Sequence, residues 1–244
     1  MKSYSQYKQD QIINILFRGQ KNGAFLDIGA HDGISFSNTY FFEKDKKWTG
    51  VCIEPNPEIF KKLQSNRNCI LENCCISSDE SEVTFRKVNG PGNMLSGILD
   101  FFDAKHIARI ENWISSSGGS YEDIAIKCKT IESILLKYDI TKIDYCSIDT
   151  EGAELQIIKS IDLNRFSIKS FSVENNNKDK FVRNYLKQKG YYCIPSKLDD
   201  FYVKGFSIKH IPFIAYTIGY FLFDGIQSVF RRLKSKMYSS TKSS

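Results

Sequence analysis

The sequence predicts an α/β fold: a mostly parallel, Rossmann-like sheet with helices on both faces, followed by a C-terminal amphipathic helix. Three observations predict it. Short apolar runs alternate with stretches of helical period along most of the chain, and parallel neighbours in a sheet need crossover connections that are usually helices. Four acids, Asp27, Glu54, Asp149 and Glu174, each stand at or near the end of an expected strand. One strand, FLDIG, runs straight into a glycine turn within FLDIGAHDG at 25–33. In open sheets of this kind ligands bind beyond the carboxyl ends of the strands, so acids gathered there form a site-like pattern.

The elements follow in order. Strands are expected at AFLDIG (24–29), GVCIE (50–54), CILEN (69–73), EVTFRKV (82–88), IAIKCKT (124–130), IDYCSID (143–149) and KSFSVEN (169–175), each a short apolar or alternating run. Helices are expected at 37–46, 56–66, 130–138, 151–160 and 177–189. The glycine-rich segment NGPGNMLSG (89–97) reads as a mobile loop over the ligand edge, as such composition usually does. SSSGGS (115–120) and the SYEDIA after it read as a surface excursion, and no internal repeat is found.

Composition narrows the class. The chain has 244 residues, 41% of them apolar and 25% charged, which excludes disordered, collagen-like and low-complexity proteins. The net charge of +6 is unevenly placed: from 206 to 244, Lys209, Arg231, Arg232, Lys234, Lys236 and Lys242 face Asp224 alone, so that segment carries +5 and residues 1–205 only +1. A nearly neutral body without a basic stripe argues against a nucleic-acid partner. Seven cysteines, an odd number without a CxxC pair, read as reduced core thiols rather than disulfides, and the adjacent Cys74 and Cys75 lack further ligands at zinc spacing. With the polar start MKSYSQYKQD, which has no signal-peptide core, this gives a cytoplasmic expectation.

The glycine turn carries the chemistry. Gly29 lets the backbone turn tightly and a ligand lie against it. A dinucleotide site would use GxGxxG; here the spacing is GxxxG, His31 takes the place of the middle glycine, and Asp27 lies two residues upstream. A carboxylate there suits a cationic ligand better than a diphosphate, which favours S-adenosylmethionine over a nicotinamide cofactor. Glu54, 27 residues after Asp27, is placed to accept hydrogen bonds from both ribose hydroxyls. Its plain alternative is a helix-start acid interacting with the dipole. Pro55 and Pro57 fix the turn that follows.

These blocks resemble a known family. FLDIGAHDGISFSNTYFFEKDKKWTGVCIEPNPEIFKKLQSNR is similar to the cofactor-binding half of FkbM-type methyltransferases, and CKTIESILLKYDITKIDYCSIDTEGAE to their later block, with its IDxEGxE signature at 148–154. The early SQYKQD resembles the family's approach to the first strand, so the similarity spans roughly 3–195. It implies a class I methyltransferase fold, S-adenosylmethionine as donor, and O-methylation of a hydroxyl, typically of a sugar in a glycan or glycolipid precursor. It further implies that Asp27, Gly29, Ala30, His31, Asp32 and Gly33 line the methionine end of the cofactor and that Asn38 contributes from the next helix. By the same resemblance Glu54 and Pro55 hold the ribose, Cys75, Ile76 and Ser77 lie against the adenine, and Asp149 and Glu151 sit near the transferring methyl. Ser147 stands where the family often has lysine. That departure is shared with a branch similar to a trafficking protein, which leaves a non-catalytic trafficking or scaffold protein with the same fold as the alternative.

A sugar hydroxyl needs help to lose its proton, from a carboxylate base or a divalent metal such as Mg2+. Asp149 is the first choice for base or metal ligand, Glu174 the second and His31 the third. Glu154 reads as a helix-start acid, and Ser96 as a turn residue. In the tail, Thr217, Tyr220, Asp224 and Gln227 fall on one side of a helical wheel, and Phe213, Ile214, Ile218, Phe221 and Ile226 on much of the rest. That wide apolar face is expected to dock on its own domain or a twin subunit, with peripheral membrane contact next and a true span last; residues 211–236 carry all three readings. The expected division is therefore a domain at 1–205 and a basic amphipathic tail at 206–244.

Overall fold

The computed structural model describes residues 2–175, 178–196, 198–205 and 207–221. Its centre is β1 (Ala24–Ile28), paired in parallel with β2 (Thr49–Ile53) on one side and β8 (Lys142–Ile148) on the other. β3 (Ile70–Glu72) extends the sheet beyond β2, and β9 (Ser167–Glu174) beyond β8. β11 (Asp199–Lys204) is antiparallel to β9 and to β10 (Tyr191–Pro195) at the edge, so β10 runs with the parallel strands and β11 alone is reversed. The order is β3-β2-β1-β8-β9-β11-β10. This is the mostly parallel α/β sheet that the alternation of apolar runs predicts.

Alternation along the strands decides which residue meets which face. Leu26 and Ile28 of β1 join Val51, Ile53, Cys146 and Ile148 on one side. There they meet buried side chains of α5 (Ile131–Lys137), α6 (Glu154–Ser160) and α7 (Phe181–Gln188). Phe25, Cys52 and Tyr145 lie on the other side with Ile12 and Ile13 of α1 (Gln9–Leu16) and Phe41 and Phe42 of α2 (Tyr40–Lys46). Asp27 shares the pleat side of Phe25, so a charged group is carried into the second core near its upper edge. α3 (Pro57–Asn66) begins on a strong local signal: the Asn56 side chain accepts hydrogen bonds from Glu58 N at 3.0 Å and Ile59 N at 3.4 Å, and proline occupies the first turn.

Between β3 and β8 the chain builds a second, four-stranded sheet: β4 (Cys75–Ile76), β7 (Ser120–Lys129), β5 (Glu82–Asn89) and β6 (Gly97–Ile98), in that order. α4 (Ala104–Ser117) is capped by Asp103 and anchored through Ile110, which packs with Val88 and Leu95. Two expectations change here. SYEDIA is not a surface excursion, because it forms β7 against β5 over eight residue pairs. The 89–97 segment is not an untethered loop: it holds a 3-10 turn at Asn93–Leu95, and buried Leu95 pins it to the second sheet. Helices 37–46 and 151–160 start later than expected, at Tyr40 and Glu154: the Ser37 hydroxyl accepts the Thr39 and Tyr40 N–H groups, and Glu154 accepts those of Thr150 and Gly152 in the turn before its helix. α1, α4, β4, β6, β10 and β11 are not among the expected elements. Residues 211–221 are helical; Phe213 and Thr217 are buried against the α1–α2 side of the sheet. The remainder of the tail, 222–244, lies outside the described residues.

Candidate functional site

The carboxyl ends of β1, β2, β4 and β8 converge on one cleft of about 350 Å3, closed on its far side by β5, the Asn93–Leu95 turn and β6. Gly29 makes the convergence feasible. It has φ +86°, and a Cβ there would lie 1.8 Å from the Asp149 carbonyl oxygen, so only glycine lets the ends of β1 and β8 touch. The Asp149 N–H donates to Ile28 O at 3.0 Å, and the Gly29 and Ala30 N–H groups both reach Ile53 O at 3.0 Å. Three strand ends are thus stitched into a single rim.

On that rim the carboxylates are held by donors. Glu54 accepts the His31 N–H at 2.9 Å and the Asn56 N–H at 2.8 Å; burial nevertheless pushes its carboxyl up to about 7, against the lowering effect of those bonds. Asp27 accepts the Thr39 hydroxyl at 2.5 Å. Burial raises its pKa, and the nearby Arg67 guanidinium opposes that rise. Arg67 itself is a buried cation that donates to Glu43 at 2.5 Å, Thr39 Oγ1 at 3.0 Å and Gly33 O at 3.2 Å. The Asn38 amide donates to Ser147 Oγ at 3.0 Å, while its Oδ1 is buried in the cleft wall without a partner.

A second group of acids meets at the β8 end. Asp149, Glu151 and Glu174 each bring a carboxylate oxygen within 4.8 Å of the others. The Asp149 and Glu174 carboxyls lie close enough to bias one another's protonation. Desolvation by the surrounding protein first, and then the neighbouring negative charges, push both well above the usual carboxylate range, with Asp149 itself exposed to the cleft. Glu151, in a left-handed backbone conformation at φ 55°, is raised to about 7 by burial; Arg109 beside it counters the shift. Its Oε2 lies 3.3 Å from Arg109 Nη1 and 3.4 Å from His106 Nδ1. Three clustered carboxylate oxygens are the donor set of a hard divalent cation; here they could hold one, and its charge would relieve their mutual repulsion. Glu154 turns away from the group and binds Thr150 N, Thr150 Oγ1 and Gly152 N, as its reading as a helix-start acid implies.

Twelve of the expected residues come together on this one cleft. From the β1–β2 side these are Asp27, Gly29, Ala30, His31, Asn38, Glu54 and Pro55; Cys75 and Ile76 line it from β4; Asp149, Glu151 and Glu174 lie beyond β8 and β9. Three expected residues lie elsewhere. The Asp32 carboxylate is spent on Ile34 N, Ser35 N and Ser35 Oγ. Gly33 faces Leu63 and Arg67, where a Cβ would approach within 2.6 Å. Ser77 bonds its N–H to Lys129 O and lies outside the cleft lining. Ser96 lines the cleft, yet its hydroxyl is used inside the turn, donating to Asn93 O and accepting Val88 N–H. Burial pushes the Cys74 thiol up to about 12, which suits an inert core thiol and not a redox group. Among the residues the sequence did not single out, Arg109 and His106 come from the unexpected α4, and Gln6, Tyr7, Phe36 and Met94 border the cleft. Phe36 is 53% exposed and sits at φ 57°, a conformation uncommon for an aromatic residue; its backbone is bridged to Ser5.

Comparison with known proteins decides what the cleft belongs to. The sequence from 27 to 193 matches the model of the methyltransferase FkbM domain. The chain belongs to the FkbM methyltransferase family. That match spans both acid-bearing rims, from Asp27 through Glu174, and makes the protein an S-adenosylmethionine-dependent methyltransferase with a class I, Rossmann-like sheet. No curated protein sequence matches it. Among solved structures, it is similar to M. capricolum TrmK in complex with S-adenosyl-homocysteine (11% identity, TM-score 0.41, 82% of this chain and 67% of that one). It is also similar to precorrin-6y C5,15-methyltransferase from Geobacter metallireducens (14%, TM-score 0.40, 84% and 92%) and to a methyltransferase from Pyrococcus furiosus (12%, TM-score 0.38, 82% and 84%). The family assignment of this FkbM protein rests on the sequence match and not on these distant likenesses.

Proposed function

We propose that the protein methylates a hydroxyl group, that of a sugar unit in a glycan or glycolipid precursor, with Asp149 as the base. The observation that carries this reading is the Asp149–Glu174 carboxyl pair at the rim where β1, β2 and β8 meet. When bound, S-adenosylmethionine supplies a methyl group already activated on a sulfonium. The residues present fit it. The unpaired Asn38 Oδ1 is an acceptor for its ammonium group. Glu54, its carboxylate fixed by two backbone N–H groups, retains acceptor capacity for the ribose diol, and Ile76 offers an apolar surface for the adenine.

Asp149 takes the hydroxyl proton, and Glu174 beside it biases its protonation. Orientation of the hydroxyl toward the methyl and removal of its proton are the two tasks left to the chain, because the donor needs no further activation. Exposed Phe36 and Met94 beside the polar Gln6 and Asn93 at the cleft border suit a ring that is apolar on one face and hydroxylated at its edge. The test is transfer of labelled methyl to a panel of pyranosides by wild type and Asp149→Asn, with calorimetry of S-adenosylmethionine binding alongside. Loss of about 10²–10⁴-fold in kcat with cofactor binding retained is expected. Unchanged turnover removes Asp149 from the mechanism, and absence of cofactor binding to wild type sinks the enzyme reading altogether.

A further inference from the structure

The helical segment 211–221 is unusual in having two uncharged sides. Its inner side is settled: Phe213 is 1% exposed with its ring 6.1 Å from that of Phe201, and Thr217 is 0% exposed. The wheel had placed Thr217 on the polar, outward side. It goes inward because its hydroxyl donates to Phe213 O at 2.7 Å within the helix and so carries no unmet polar group into the core. As a result Ile218, expected beside Phe213, faces out. Ile211 and Ile218 are each 51% exposed and Tyr216 38%, with Ala215 and Gly219 exposed between them. At helical spacing 211, 215 and 218 share one side, opposite 213 and 217.

Charge says what covers that side. No acidic residue occurs from 201 to 223. Lys209 is exposed at the start of the segment, and Arg231, Arg232, Lys234 and Lys236 follow it in sequence. Apolar exposure bordered by basic residues is the pattern of a helix lying on an anionic lipid surface. A second copy of the chain would bring the same positive charge against itself. No helix among the described residues is long and apolar enough to cross a membrane. The helix is also tied to the cleft border: Lys8 Nζ lies 5.1 Å from the Tyr220 ring centroid, directly after Gln6 and Tyr7, which line the cleft.

We propose that the outer face of 211–221, through Ile211, Tyr216 and Ile218, docks the protein on an anionic membrane surface, with the cleft border beside it. The test is flotation of the full-length chain on vesicles of phosphatidylcholine with about 30 mol% phosphatidylglycerol, against phosphatidylcholine alone. Wild type is expected to float on the anionic vesicles and to be released by about 0.5 M salt. The double substitution Ile211→Ser and Ile218→Ser, at exposed positions and checked for an unchanged urea midpoint, is expected to lower partitioning by about tenfold or more. Replacing Arg231, Arg232, Lys234 and Lys236 with glutamine is expected to abolish the preference for anionic lipid. Failure of wild type to float overturns the proposal, and so does equal flotation of the double variant, which would assign binding to the basic residues alone. A dimer in sedimentation that the double variant dissociates, without flotation, also overturns it in favour of a second copy of the chain. None of these readouts uses turnover, so they stand or fall apart from the acceptor assignment.

Discussion

Two sets of carboxylates face the same cleft and are built in opposite ways. At the β1 and β2 ends every acid meets a donor fixed by the fold: the Thr39 hydroxyl, itself bonded by Arg67, serves Asp27, and the His31 and Asn56 backbone serves Glu54. At the β8 and β9 ends the acids meet each other. A satisfied carboxylate keeps a fixed shape and charge, which is what positioning a ligand requires. Both sets hold protons above their ordinary range, but only the crowded one adds like-charge repulsion to burial as a cause, which favours proton exchange or uptake of a cation. The first set carries the cost of burial with donors to offset it, and the second adds mutual repulsion to that cost.

Substitutions should split along that line. Asp149→Asn keeps the size of the side chain while removing one member of the repelling group. Activity is expected to fall about 10²–10⁴-fold while the urea midpoint stays level or rises. A clear loss of stability would show that the acid cluster is structural after all. Arg67→Met does the reverse. It strands Asp27 and Glu43 in a site where Arg67 has 0% side-chain exposure, and uncompensated buried charge costs about 3–5 kcal/mol; equilibrium unfolding measures it. Glu54→Ala comes next, expected to weaken cofactor binding by about 1.5–3 kcal/mol, or some 10–100-fold, with a smaller change in kcat. Equal affinity by calorimetry would remove Glu54 from the cofactor site.

The sequence revealed these two sets unequally. Asp27, Glu54, Asp149 and Glu174 were legible because strands alternating with helices put acids at strand ends, and the glycine turn at 29 marked where backbones touch. What the positions did not reveal was how each acid is satisfied. Arg67 lies 40 residues from Asp27 in sequence and acts on it through Thr39, because the end of α3 is tied to Thr39 and to Glu43 of α2. Asp32 reads like a ligand residue, yet it is consumed by a local turn whose donors are the next residues but one and two. Helix α4, source of Arg109 and His106, carries Ile107, Ile110 and Ile114 at helical spacing but buries only Ile110; its periodic signal is present in the sequence. Orientation of 211–221 was missed because a helix uncharged all round has no polar side to set its rotation, and a satisfied threonine can turn inward.

The smallest expected effect is the most diagnostic of the contrast, because it reads the cost of burying Glu54. Its folded-state carboxyl titrates at about 7 against an ordinary 4.5, and Asp199, raised by burial despite the Gln9 amide at 2.9 Å, titrates at about 6 against 3.8. Between roughly pH 4 and 7 the folded protein, with Glu151 also raised to about 7, therefore holds protons that the unfolded chain has released, so stability should decline as pH rises through that window. Glu72 has the opposite sign. Held at about 2 by Lys129, Lys137 and Tyr138 against the effect of burial, it contributes stability above its ordinary pKa that is lost only as pH falls below about 4, outside the window. A decline of about 1–3 kcal/mol in unfolding free energy between pH 5 and 7.5 is expected from urea titrations, allowing for partial relaxation of the buried acids. Glu54→Gln should reduce it, because glutamine does not titrate, leaving the part carried by Asp199 and Glu151, even though its amide leaves one of the two backbone donors unmet and lowers stability at every pH. Saturating S-adenosylmethionine should reduce it too if ribose hydroxyls donate to the ionised carboxylate. A slope indifferent to both would mean that Glu54 is held ionised by the fold alone, and the contrast between the two rims would then rest on Asp27.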